Sequence, residues 1–163
     1  MSVLSDTQIL AKIYSKKLMI DPCIVENIQP SSIDLTLDDT IQVPKTGVTM
    51  TPPYPDREAI KEHFDEMVIT DQYTLKPGSF ILAQIKETIE LPEDLVGTVQ
   101  NRNSIIRMGL NVGLSSYINP GYRGKLPIAI HNAGSFDFVL IPGTRICQLI
   151  LNETSMVHRD YSK

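Results

Sequence analysis

The stretch at 99–124 reads VQNRNSIIRMGLNVGLSSYINPGYRG, and its reading decides the fold. Arg102 and Arg107 bracket a short segment that passes from polar to apolar. The tight turn Asn119-Pro120-Gly121-Tyr122 closes the run. A planar guanidinium fork matches phosphate oxygens two at a time, so two of them with amide and hydroxyl neighbours form a candidate polyphosphate clamp. Working outward, the flanks are QPSSIDLTL at 29–37 and IPGTRICQLIL at 141–151.

The chain has 163 residues, enough for one domain over 1–163 with a full core and too few for two comfortable ones. A hydrophobic content of 42% and a formal net charge of -4 describe an ordinary globular chain. No run approaches the roughly 18 apolar residues of a membrane span. The opening MSVLSDTQILAKIYSKK carries early charges and no secretion-signal pattern. Its two cysteines, Cys23 and Cys147, favour a reduced cytoplasmic protein with packed thiols over a disulfide. The acidic balance argues against duplex nucleic acid as a partner. A small anionic ligand in a local cationic cleft stays compatible with it.

Residues 5–17 read as a helix: Ser5 can cap it, and Ile9, Leu10, Ile13 and Tyr14 recur at helical spacing. Leu18-Met19-Ile20 before Asp21-Pro22 suggests a strand ended by a turn. A second helix is expected at 55–67, with Ile60, Phe64 and Met67 on one face. Beyond it, short apolar runs at 80–85, 96–99, 128–130, 138–141 and 146–151 are separated by turn signals such as Lys76-Pro77-Gly78 and Pro142-Gly143. That spacing predicts a mainly β chain, an antiparallel sandwich or distorted jelly roll with short peripheral helices. The polar tail at 158–163 is expected to be frayed or extended.

His63, His131 and His158 are scattered, and neither cysteine sits in a CxxC or His-Cys cluster. This excludes the zinc-dependent deaminase pattern of H-x-E with P-C-x-x-C. The sequence also contains no GxSxG elbow, P-loop or GxGxxG.

With both flanks in register, the chain resembles the family of trimeric dUTPases and dCTP deaminases. The resemblance runs from the N-terminal helix to Leu151, with four motifs in order. It implies a distorted jelly roll assembled as a homotrimer, with sites between subunits. Asp34 in Ser31-Ser32-Ile33-Asp34-Leu35 matches a family aspartate that, in the dUTPases, helps hold magnesium through water; the residues alone read as a turn entering a strand. Arg102, Asn103, Ser104 and Arg107 occupy the place of the Arg-Ser-Ser-x-x-Arg phosphate motif, which implies phosphate roles for Arg102, Ser104 and Arg107. Asn103 replaces the first serine. The hairpin at 115–122 matches the nucleoside hairpin, with Tyr122 in a ring-stacking, sugar-contacting or packing role. Gln148 stands where a family glutamine approaches the phosphates.

Departures from the family accompany these matches. Asn119 stands where the dUTPases carry the aspartate that activates water; an amide can orient water but cannot accept its proton. Ala129 stands where the dCTP deaminases carry their proton-shuttling glutamate. His131, two residues on, is either a replacement base or a structural histidine. Set against the family pattern, the closing lid is expected to be missing or reduced to its first residues at Tyr161-Ser162-Lys163. The resemblance therefore implies a protein that handles pyrimidine deoxynucleoside triphosphates, with magnesium as cofactor. Hydrolysis of dUTP to dUMP and pyrophosphate is the closest enzymatic reading, and dCTP deamination is disfavoured. The competing reading is a catalytically inactive member that binds a nucleotide or a protein partner as a regulator.

Overall fold

Ser5 starts the first helix as its sequence suggests. In this computed structural model, which describes residues 2–49, 62–113 and 117–155, α1 spans Asp6–Tyr14 behind a capping box. The Ser5 backbone N–H donates to Gln8 Oε1 at 2.9 Å, and the Gln8 N–H donates back to Ser5 Oγ at 3.4 Å. Ile9 is the side chain of α1 that is fully buried, so the helix is peripheral to the core.

The remaining elements are strands with two short helical turns. In chain order they are β1 (Met19–Asp21), a 3-10 turn (Val25–Asn27), β2 (Ile28–Gln29), β3 (Ser32–Pro44), β4 (Phe64–Val68) and β5 (Tyr73–Leu75). There follow β6 (Phe80–Glu90), β7 (Leu95–Asn101), α2 (Asn103–Ile106), β8 (Leu110–Val112) and β9 (Tyr117–Ile118). The last are β10 (Arg123–Asn132), β11 (Phe138–Leu140) and β12 (Arg145–Glu153). The main path of the larger sheet runs β8-β10-β6-β3-β12-β7-β9, with β1 joining at β6 and β2 and β4 at β3; β5 and β11 form a separate pair. The described pairings are antiparallel, as the jelly-roll expectation requires.

Alternation builds the core. On β6, Ile81, Ala83, Ile85 and Ile89 point inward, and Glu87 falls in the same buried row. β10 contributes Leu126, Ile128 and Ile130, while β12 contributes Ile146, Leu149 and Leu151. On β3, Ile33, Leu35 and Leu37 are in the core, and every residue from Ser32 to Leu37 is buried. Asp34 and Thr36 are covered by polar partners, Arg102 and Arg145 for the first and Glu87 for the second. Among the described residues no helix is long and apolar enough to cross a membrane.

The helix expected at 55–67 is corrected at its end. Phe64–Val68 is strand β4, paired with the outer half of β3 from Thr40 to Pro44. Met67, expected to share a helical face with Ile60 and Phe64, is a strand residue and 45% exposed. Phe64 instead meets Phe80 edge-on, with ring centroids 6.2 Å apart. Tertiary pairing overrides a locally helical pattern here. Residues 55–61 and the tail at 158–163 lie outside the described residues.

A glycine contact ties the α2 turn to the end of β10. Gly109 has φ +85°, and a Cβ there would meet the backbone of Gly134 at 2.8 Å. The Ala133 N–H donates to the Gly109 carbonyl at 2.8 Å, and buried Asn132 closes the neighbouring turn by donating to the carbonyls of Leu75 and Phe136. Gly109→Ala should therefore destabilise by at least about 1–2 kcal/mol from the left-handed backbone alone. Urea unfolding checks this; an unchanged midpoint would show that the contact relaxes freely.

Candidate functional site

The register of β3 on β12 sets Asp34 opposite Gln148 and Thr36 opposite Arg145. β12 also pairs with β7, which ends at Asn101 and hands the chain to Arg102. Three strands thus deliver Asp34, Arg102 and Arg145 to one point. Arg102 Nε lies 3.1 Å from Asp34 Oδ1, and Arg145 Nη1 lies 3.3 Å from Asp34 Oδ2. A second N–H of Arg102 donates to the Arg145 carbonyl at 3.1 Å. The Asp34 side chain is only 4% exposed, against 23% for Arg102 and 45% for Arg145. Removing one partner from a buried pair of this kind typically costs about 3–5 kcal/mol, because the other charge is left uncompensated.

A second buried carboxylate lies behind the first. Glu87 accepts the Thr36 N–H at 3.0 Å and the Thr36 hydroxyl at 2.7 Å. Cys147 lies within reach of the group, and its thiol is pushed up to about 12 by burial first, then by Glu87 and Asp34, with Arg102 opposing. Cys147 is therefore an inert packed thiol, as expected. Cys23 is free and exposed, which corrects the expectation that both thiols pack. Gln148 is committed as well: its amide donates to the Asn101 carbonyl at 3.1 Å and accepts from Ser32 Oγ at 3.4 Å.

α2 presents the rest of the phosphate motif. Arg102 is its N-cap position, and the Arg102 carbonyl accepts the N–H groups of Ile105 and Ile106. Ile105 is buried and holds the turn down, while Asn103, Ser104 and Arg107 are exposed. The hairpin residues lie elsewhere. β9 pairs with β7 so that Ile118 sits opposite Gly97, at the far end of the strand from Arg102 and roughly 17 Å from it at strand rise. Asn119 is half-buried, and its carbonyl accepts the Tyr122 N–H at 3.2 Å. Tyr122 donates its hydroxyl to the Lys125 carbonyl at 2.8 Å, a packing contact. One chain therefore brings Asp34, Arg102 and Gln148 together but leaves Asn119 and Tyr122 apart from them. Ser115 lies outside the described residues.

Ala129 lies on the half-exposed face of β10, opposite Leu82 of β6, and its carbonyl accepts the Gly113 N–H at 2.9 Å. The row across the sheet continues from Leu82 to Gln42 and then to Glu66. That carboxylate is three strands from Ala129, about 14 Å, too far to replace a side chain at 129. His131 lies on the same face, two residues along, between Phe80 and Asn111 in the register.

Comparison with known proteins settles the family. The profile described as dCTP deaminase-like matches residues 3–154. The chain belongs to the dCTP deaminase-like family. It is 34% identical over 157 residues to a dUMP-forming dCTP deaminase of Methanobrevibacter smithii, covering 92% of this chain and 79% of that relative. Against a dUMP-forming dCTP deaminase of Persephonella marina it is 35% identical over 150 residues, covering 91% and 82%. The crystal structure of a dCTP deaminase from Agrobacterium tumefaciens matches the fold with a TM-score of 0.74 at 22% identity. That match covers 93% of this chain, which spans about half, 48%, of the solved chain.

Within this family framework, magnesium does not fit Asp34. Both carboxylate oxygens face guanidinium groups, the side chain is nearly sealed, and two flanking cations repel a third. Among the described residues no group of three or more His, Cys, Asp or Glu side chains could hold a metal ion directly. Arg145, Thr36 and Glu87 are the residues that sequence reading missed. Their partners are distant in sequence, so the only local signal was the alternation that sets Glu87 in an otherwise apolar inward row.

Proposed function

We propose that the chain binds a pyrimidine deoxynucleoside triphosphate, dCTP in the first place, and does not deaminate it. The observation that carries this reading is Ala129. The family resemblance sets the proton-shuttling glutamate of the dCTP deaminases at this position. A methyl group holds no proton, and no carboxylate of the same sheet row comes near it. The relatives favour dCTP as the reference ligand, because their names give dCTP as substrate and dUMP as product. Hydrolysis of dUTP, expected from the sequence, takes second place for the same reason, and Asn119 weakens it further.

Binding is supported by what the chain keeps. Arg107 and Ser104 are exposed on the α2 turn, and the 117–122 hairpin is docked by the Leu91 and Gly121 N–H groups, which donate to the carbonyls of Tyr122 and Pro92. A docked hairpin can read a base edge through its backbone. Phosphate recognition and proton transfer are separable, so the second can be lost while the first persists. Because the α2 turn and the hairpin stand far apart within one chain, the site is proposed to close between copies in a homotrimer. Sedimentation equilibrium should give a trimer at micromolar concentration; a monomer alone would remove the shared site.

With purified protein, dCTP should release no ammonia above the uncatalysed background. Ala129→Glu, combined with Asn103→Ser and Asn119→Asp, should then raise ammonia release by about 10²–10⁴-fold, the usual worth of general acid–base assistance. A wild-type rate already at that level would sink the proposal. Pyrophosphate release from dUTP, measured in parallel, distinguishes the hydrolytic reading.

A further inference from the structure

The turn that carries the phosphate motif is anchored at both ends. At its C-terminal end the Gly109 carbonyl accepts the Ala133 N–H, and Gly109 packs against the backbone of Gly134. At its N-terminal end the anchor is a side chain: Arg102, fixed by Asp34 and by the Arg145 carbonyl. Between these points the turn is closed by backbone bonds, from Ile105, Ile106 and Arg107 N–H to the Arg102 and Asn103 carbonyls and from Met108 N–H to Ile105, and buried Ile105 packs it onto the core. A turn of this length has no stability of its own, so its position depends on its anchors.

Asp34 is buried between the Arg102 and Arg145 guanidiniums, while the second buried carboxylate, Glu87, is satisfied by the Thr36 N–H and hydroxyl. Arg102 spends its Nε on Asp34 and one terminal N–H on a carbonyl, so its fork is turned inward. The cation of the motif that remains turned outward is Arg107, which is exposed.

We infer that Asp34 is a positioning residue that holds the 102–109 turn through Arg102, with Arg145 as its second arm, and that nucleotide binding here uses no magnesium at Asp34. Arg102 belongs to this brace, and Arg107 is the arginine that meets phosphate. The inference rests on the nucleotide-binding reading for the ligand, but its geometric part stands without one. Arg145 supplies a single N–H contact to Asp34, which an ammonium can reproduce.

The test uses the full chain with Asp34→Asn, Arg145→Gln and Arg145→Lys. Hydrogen exchange without nucleotide should show the amides of 105–109 exchanging roughly tenfold faster in Asp34→Asn and several-fold faster in Arg145→Gln, while those of 81–89 in β6 change less. Arg145→Lys should recover most of the protection, a rescue that loss of bulk would not give. If Asp34→Asn fails to fold, the Arg145 pair alone decides. Unchanged exchange at 105–109 in Arg145→Gln overturns the brace. Calorimetry with magnesium chloride alone should show no binding that Asp34→Asn removes, and exchanging magnesium for EDTA should change dCTP affinity by the same factor in Asp34→Asn as in the wild type, since the triphosphate itself binds the ion. Magnesium that binds the wild type and not Asp34→Asn overturns the inference. If wild type binds no dCTP at all, the proposed function fails while the exchange result still judges the brace.

Discussion

A buried carboxylate between two guanidiniums is the constraint on which the rest of this molecule depends. Asp34 sits near the start of β3, the strand that pairs with β2, β4, β6 and β12. Its charge can be kept from water only if Arg102 and Arg145 arrive from β7 and β12, which requires the β3-β12-β7 register as observed. A one-residue slip would turn Asp34 into the apolar row of Ile33 and Leu35 and strand both arginines. Replacing such a cluster with apolar groups is often neutral for stability, so its value lies in position. It fixes where β7 ends and where the α2 turn begins.

Local patterns made much of the fold legible. The N-cap at Ser5 and the apolar runs of β6, β7, β10 and β12 announce themselves within a few residues, and turn residues mark their ends. What local pattern cannot carry is pairing. The segment at 64–68 has helical spacing yet becomes β4 because β3 offers it a partner edge. Asp34 and Arg102 were recognisable as special, but their roles were not, since the carboxylate meets its second guanidinium 111 residues away in sequence. Arg145 lies in the stretch that carries Gln148, and nothing in its neighbours singles it out. Asn119 and Tyr122 were readable as a rigid turn; their distance from Arg102 follows only from the β7–β9 register.

The same geometry separates recognition from chemistry. The parts that would hold a triphosphate and read a base are backbone turns and exposed polar groups, positioned by the core. The parts that would move protons are single side chains, and those at 119 and 129 are an amide and a methyl. A fold of this kind can lose a proton carrier without disturbing anything that positions a ligand, because Ala129 lies on the half-exposed face of β10 while Ile128 and Ile130 keep the strand in place. Membership of the dCTP deaminase-like family thus describes the scaffold and not by itself a reaction.

The central claim is that dCTP is held and left unchanged. The most direct measurement incubates the protein with radiolabelled dCTP for hours, separates protein from free nucleotide by gel filtration, and identifies the nucleotide in the protein fraction by chromatography. The account predicts label co-eluting with a trimer and recovered as intact dCTP. Label recovered as dUTP or dUMP would contradict the loss of chemistry, and absence of label from the protein fraction at millimolar dCTP would contradict the retained site.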